Sequence, residues 1–261
     1  MMILPPVVEQ LFLIYGWRGA LIIIGAISAH ICVFGALIRP LSPEYKYKPI
    51  QDSGSNSPPD ELLEDSKIGK MWNAFKEKMD FRLFVDEPRF LIIQLIVTLC
   101  GIVYSGWHMY LIPHGFSLGF GETLASLLAT FNGIGLMIGR LLHGTFVDRG
   151  VVRATDLYAG ASFVMAVTLF LVSPASSSYT AIATVAAAVG FGLGVTFPLC
   201  YVMSADVPGG REVTAFSFMY LCQGTGFLSG SYLCGLIRDV TGEYITVFNT
   251  LGGVSIIMGA L

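Results

Sequence analysis

The chain has 261 residues, 54% of them hydrophobic and 13% charged, with a net charge of −3 and a mean hydropathy of +0.70. A soluble chain carries about a quarter charged residues, so this composition excludes an ordinary soluble domain and points to an integral membrane protein. No basic stripe invites nucleic acid, and the five cysteines fall singly in apolar runs, with neither a CxxC metal spacing nor a paired disulfide framework.

The opening segment, MMILPPVVEQLFLIYGWRG, lacks the basic region and small-residue cleavage site of a secretory signal. Its Pro5-Pro6 pair and Glu9 fit the end of a preceding helix or an interfacial piece. Six full apolar spans follow, at roughly 19–38, 90–112, 123–147, 155–172, 179–203 and 214–237, several near the ~20 residues a membrane crossing needs. A seventh begins near Tyr244 and stops at Leu261, so both ends read as those of a fragment.

Between the first two spans lies a polar segment that holds 19 of the 33 charged residues, from Arg39 to Arg89. Its QDSGSNSPPD stretch has linker composition. The later ELLEDSKIGKMWNAFKEKM reads as a surface helix, with Met71, Phe75 and Met79 four residues apart. Loop Lys and Arg counts put this segment in the cytoplasm. With Arg149, Arg153 and Arg211 it places twelve basic residues inside, against Arg18 and Arg238 outside. The expected class is therefore an all-α integral membrane protein in three parts. Residues 1–38 end an N-terminal half, 39–89 form a partly disordered cytoplasmic loop, and 90–261 form a C-terminal bundle with an incomplete last helix. That pattern fits the middle and second half of a twelve-helix transporter made of two six-helix halves.

Arg140 lies inside the span 123–147, where an arginine costs about 2.5–3.5 kcal/mol on insertion scales. Three readings are open. It snorkels to the interface, although Asp148 is eight residues on, roughly 12 Å at 1.5 Å per residue. It pairs with an acid on a neighbouring helix. Or its guanidinium holds a substrate carboxylate by two parallel hydrogen bonds. Asn132, Leu136, Arg140, Gly144 and Asp148 recur every four residues and share a face. Gly135, Gly139 and Gly144 reduce bulk beside the arginine, which permits close helix packing, the first reading, or leaves room for a ligand. Gly190, Gly192 and Gly194 before Pro198 suit close approach and a local bend, and the GxxxG pair Gly226 and Gly230 reads as close packing. Gln223 is open to either a cross-helix bond or a substrate contact. His30, His108 and His143 read first as helix–helix hydrogen-bonding residues, with His30 or His143 the alternative proton carriers. No metal cluster, cofactor loop or nucleophile–base set is present, so an enzyme has no support. The glycine-rich GFSLGFGE falls in an extracellular connection, which removes a nucleotide reading.

Three stretches resemble the monocarboxylate transporter family of the major facilitator superfamily. YGWRGALIIIGAISAHICVFGALIRPL (15–41) is similar to its sixth helix, IGRLLHGTFVDRG to its eighth helix and following loop, and LCQGTGFLSGSYLCGLIRDVTGEY (221–244) to its eleventh. The resemblance implies alternating access and a small or aromatic carboxylate substrate held by Arg140. Leu136, Leu193 and Phe197 would lie at or near the substrate, where Asn132 joins them on its four-residue spacing alone, and Gly144, Asp148 and Arg149 would form the loop that sets the inward–outward equilibrium. Proton-coupled members carry an aspartate one turn before the arginine; here that residue is Leu136, which speaks against proton symport. The implied partners are the bilayer, a carboxylate, a proton in coupled members, and a single-span accessory subunit for delivery to the plasma membrane. The alternative is a truncated, transport-incompetent membrane protein with an assembly or regulatory role.

Overall fold

Gly16 breaks the first helix. Its φ of 64° and ψ of 174° belong to a region open in practice only to glycine. The computed structural model describes residues 4–37, 83, 87–150, 152–205 and 211–261. The expected linker at 51–60 and surface helix at 61–79 lie outside them. By contacts the chain divides into two compact units, residues 10–77 and residues 1–9 with 78–261. The first unit holds α1 (Leu4–Leu37) from residue 10 onward, which resumes after Gly16 as an apolar helix whose Leu21, Ile22 and Ile31 are exposed. The His30 ring bonds within the helix, Nδ1 to the Ala26 carbonyl at 3.0 Å.

The second unit contains α2 (Pro88–Ser117), α3 (Glu122–Asp148), α4 (Ala154–Phe170), the short α5 (Val172–Ala175), α6 (Tyr179–Ala205), α7 (Glu212–Thr241) and α8 (Tyr244–Ala260). Pro88 starts α2 where its missing N–H costs nothing. Gly242 ends α7 at φ 76°, its N–H donating to the Arg238 carbonyl at 2.8 Å. Among the described residues every regular element is helical. Among the described residues four helical stretches are long and apolar enough to cross a membrane: Leu13–Cys32, Pro88–Ser117, Glu122–Val147 and Tyr179–Ala205. Two drawn spans differ. The span 155–172 is the 17-residue α4 followed by a cap at Leu171. Over 214–237, α7 is long enough but diluted by Ser217, Gln223, Thr225, Ser229 and Ser231. Its hydroxyls turn back onto its own carbonyls, as Ser217 does to Val213 and Ser229 to Thr225.

Glycine decides how these helices pair. α3 and α6 run parallel: Gly135 meets the Ala187 carbonyl, Gly139 the Phe191 carbonyl, Gly190 the Asn132 carbonyl and Gly194 the Leu136 carbonyl. A methyl at any of the four would strike backbone, which cannot swing aside as a side chain can. α2 and α7 form a second parallel pair. Gly226 lies on the Thr98 carbonyl, Gly101 on that of Gln223, and Gly230 on Ile102 and the Ser105 hydroxyl. α4 and α8 pack antiparallel, with Gly252 under the Phe170 ring. The core between these pairs is filled by Trp107, Met165, Leu193, Leu199, Met219, Phe248 and Leu251. The packing reading therefore holds for Gly135, Gly139, Gly190, Gly192, Gly194, Gly226 and Gly230.

Candidate functional site

The α3–α6 seam has an open edge, and Arg140 stands on it. Its side chain is exposed and its Cζ lies 5.9 Å from the centroid of the Phe197 ring on α6, a distance at which the ring face attracts the cation. Among the described residues Arg140 has no acidic partner, which removes the salt-bridge reading within them. A fixed cation on an aromatic floor, without its own anion, is suited to an incoming carboxylate.

The floor continues away from Arg140 as a chain of rings. Phe197 lies 5.1 Å from Tyr104 on α2 and 5.8 Å from Tyr201 on its own helix. Tyr104 lies 5.5 Å from Phe227 on α7 and stacks on His108 at 4.2 Å with 21° between planes. Tyr201 meets Tyr220 of α7 at 5.9 Å. Three helices, α2, α6 and α7, thus contribute rings to one aromatic surface, with Arg140 of α3 at its edge. Apolar contact there would hold the body of an anion while Arg140 holds its charge.

Asn132, two turns before Arg140, is buried and serves as a tie. The Trp107 indole Nε1 donates to its Oδ1 at 2.9 Å, and its Nδ2 faces His108 Nε2 at 3.3 Å. It supports the aromatic surface from behind. Leu136 and Leu193 do not join the open face. Leu136 is 7% exposed, and Leu193, at 0%, belongs to the core. The reason is the helix itself: a four-residue step advances about 40° beyond one turn. Two steps from Asn132 therefore rotate the row from the buried side out to Arg140, and one step carries α6 from buried Leu193 to half-buried Phe197.

Gly144 is half-buried, Asp148 ends α3, and Arg149 is its exposed C-cap, followed by the positive-φ Gly150. His143 leaves its Nδ1 buried without a partner and lines a concavity of about 300 Å³ with Asp156 and Phe191, apart from the aromatic surface. A larger cavity, about 820 Å³, lies between the ends of α2, α4 and α6, lined by Glu87, Arg89, Arg153 and Met203. Gln223 is buried in the α2–α7 seam with its Nε2 unpartnered. Sequence reasoning missed Tyr104, Tyr201, Tyr220 and Phe227 as site residues. The signal was the same-face spacing of Tyr104 with His108, of Phe197 with Tyr201, and of Tyr220 with Phe227.

These features define a polytopic helical membrane protein with a cation held on an aromatic face inside one of its spans. The family model described as Major Facilitator Superfamily matches residues 1–231, and the chain belongs to that superfamily. Across nearly its whole length it is similar to curated monocarboxylate transporters. It is 29% identical over 251 residues to monocarboxylate transporter 13 of Rattus norvegicus, covering 95% of this chain and 52% of that protein. It is 25% identical to monocarboxylate transporter 12 of Mus musculus, covering 96% and 53%, and 25% identical to monocarboxylate transporter 2 of Mus musculus, covering 98% and 53%. The chain spans about half the length of the curated relatives it matches. Those relatives are transporters, not enzymes, and the chain is a multi-pass membrane protein of their type.

Proposed function

We propose that the protein moves a small or aromatic carboxylate across the membrane by alternating access, with Arg140 as the anion anchor and the Phe197–Tyr104 surface as the bed for its apolar part. The observation that carries this reading is the Arg140 guanidinium, exposed, seated over Phe197 and without an acidic partner among the described residues. Held over a ring face, a planar guanidinium gains most from a ligand that offers two acceptor oxygens at once. The names of the relatives support a monocarboxylate.

Leu136, one turn before Arg140, supplies no acid that could titrate and release the arginine, so the proposed transport is not proton symport of the lactate type. Gly144 and Asp148 belong to the last turns of α3 and not to a loop, and with the C-cap Arg149 they make up the helix end proposed to bias the inward and outward states. The reading places the protein in the plasma membrane with 39–89 cytoplasmic, and keeps a single-span accessory subunit as its delivery partner. It is tested by the full-length protein in proteoliposomes, comparing labelled benzoate and lactate with benzamide and lactamide. Uptake of the acids and not the amides supports a carboxylate anchor; equal uptake of acids and amides rules it out.

A further inference from the structure

The Trp107–Asn132–His108 tie has only one consistent arrangement of protons. Indole Nε1 can only donate, so the Asn132 atom 2.9 Å from it is the amide oxygen. The amide nitrogen must then face His108 at 3.3 Å, and it too can only donate, so His108 Nε2 accepts. The other ring nitrogen lies 2.8 Å from the Tyr104 carbonyl, which can only accept, so Nδ1 carries the hydrogen. Two independent contacts assign the same neutral tautomer. Trp107 cannot yield, because it is fully buried with Phe248 edge-on at 5.2 Å.

In this state the His108 ring is held flat against Tyr104, and Tyr104 lies against Phe197, the ring beneath Arg140. A protonated His108 carries a hydrogen on Nε2 that points at the Asn132 NH2. Asn132 cannot turn over to accept it, because doing so would present its NH2 to the Trp107 donor. The titratable or charged groups on this side are Tyr104 on α2, Arg140 on α3, Tyr201 on α6 and Tyr220 on α7, while α8 meets α2 at Trp107 and His114 through Phe248. Among the described residues no carboxylate bonds the ring to stabilise the charged form.

We propose that His108 is a positioning residue of the transport site: the neutral ring, locked by Asn132, sets Tyr104 and Phe197 under Arg140, and protonation undoes that setting and weakens carboxylate binding. The inference rests on the reading of Arg140 as the carboxylate anchor. By linkage, a carboxylate that favours the set floor favours neutral His108, so substrate entry expels a proton from this residue instead of bringing one along. That is opposite in sign to proton symport.

The test is the KM for benzoate, predominantly an anion across the range, from about pH 7.5 down to about pH 5, which reaches below ordinary histidine titration. It uses full-length protein in proteoliposomes with no pH gradient. Wild type is expected to show KM rising about fivefold towards acid, the worth of one neutral hydrogen bond, with kcat little changed. His108→Phe should show the raised KM at every pH. His108→Gln, which keeps an acceptor for Asn132, should recover part of the affinity and show no pH step. Asn132→Asp, which accepts from both Trp107 and a protonated ring, should reverse the slope and remains informative where a His108 variant does not fold. A wild-type KM that is flat or falls in acid overturns the proposal, as does a pH step retained by His108→Gln. Loss of the anchor reading has a different signature, benzoate uptake by Arg140→Gln equal to wild type.

Discussion

Towards α6, the backbone of α3 is so close that Gly135 and Gly139 touch carbonyl groups; on its open edge, the same helix presents Arg140 over a ring with space around it. The first side is defined by what it cannot accept, a single methyl. The second is defined by what it presents, an exposed guanidinium over an aromatic ring. Gly139 and Arg140 are adjacent in the chain, so the rigid seam is what fixes the height and direction of the cation. The α2–α7 pair shows the contrast in milder form, because part of what Gly230 and Gly106 meet is side chain, the Ser105 hydroxyl, the Cys234 sulfur and the Leu251 methyls, which can shift.

The comparison breaks most severely if both glycines of one crossing are filled. Gly139→Ala with Gly194→Ala is expected to abolish folded protein, because each methyl meets backbone and overpacking costs about 1–3 kcal/mol per site or more; detergent size-exclusion profiles and thermal melts report it. Gly135→Ala alone should lose the larger part of that range, and Gly106→Ala visibly less, since side chains can yield there. A similar loss at both positions would erase the distinction between the two seams. On the open edge the order inverts: Phe197→Leu should leave the melting temperature nearly unchanged yet raise the KM for benzoate about fivefold, the upper end for an exposed cation–π contact. Smallest of all, Gly253→Ala should stay within about ±0.5 kcal/mol, because a methyl there meets nothing within 4 Å.

Much of the back of α3 was legible in the sequence. Glycines at 135, 139, 190 and 194 inside apolar runs announce close packing, because a membrane helix has little other use for so many. The cation was legible too, since one arginine in a span stands out against its background. The aromatic surface was not. Tyr104, Phe197, Tyr201 and Phe227 come from three helices, and each alone is an ordinary ring in an apolar run; only the crossing geometry brings them together. The row Asn132–Leu136–Arg140 misled for a related reason. Shared spacing places residues near one another along a helix, but the drift of each step turned the first two into support and left only the third exposed. Asn132 could be recognised as a tie only once Trp107 and His108 of α2 were seen to meet it.

The central claim is that the exposed guanidinium of Arg140 is the carboxylate anchor and not part of the fold. It is tested most directly by uptake of labelled benzoate into proteoliposomes containing full-length Arg140→Gln, with melting temperature and reconstituted amount measured on the same preparations. The account predicts normal folding and insertion with uptake reduced to the protein-free background. Wild-type uptake by this variant, or failure of it to fold, would contradict the account.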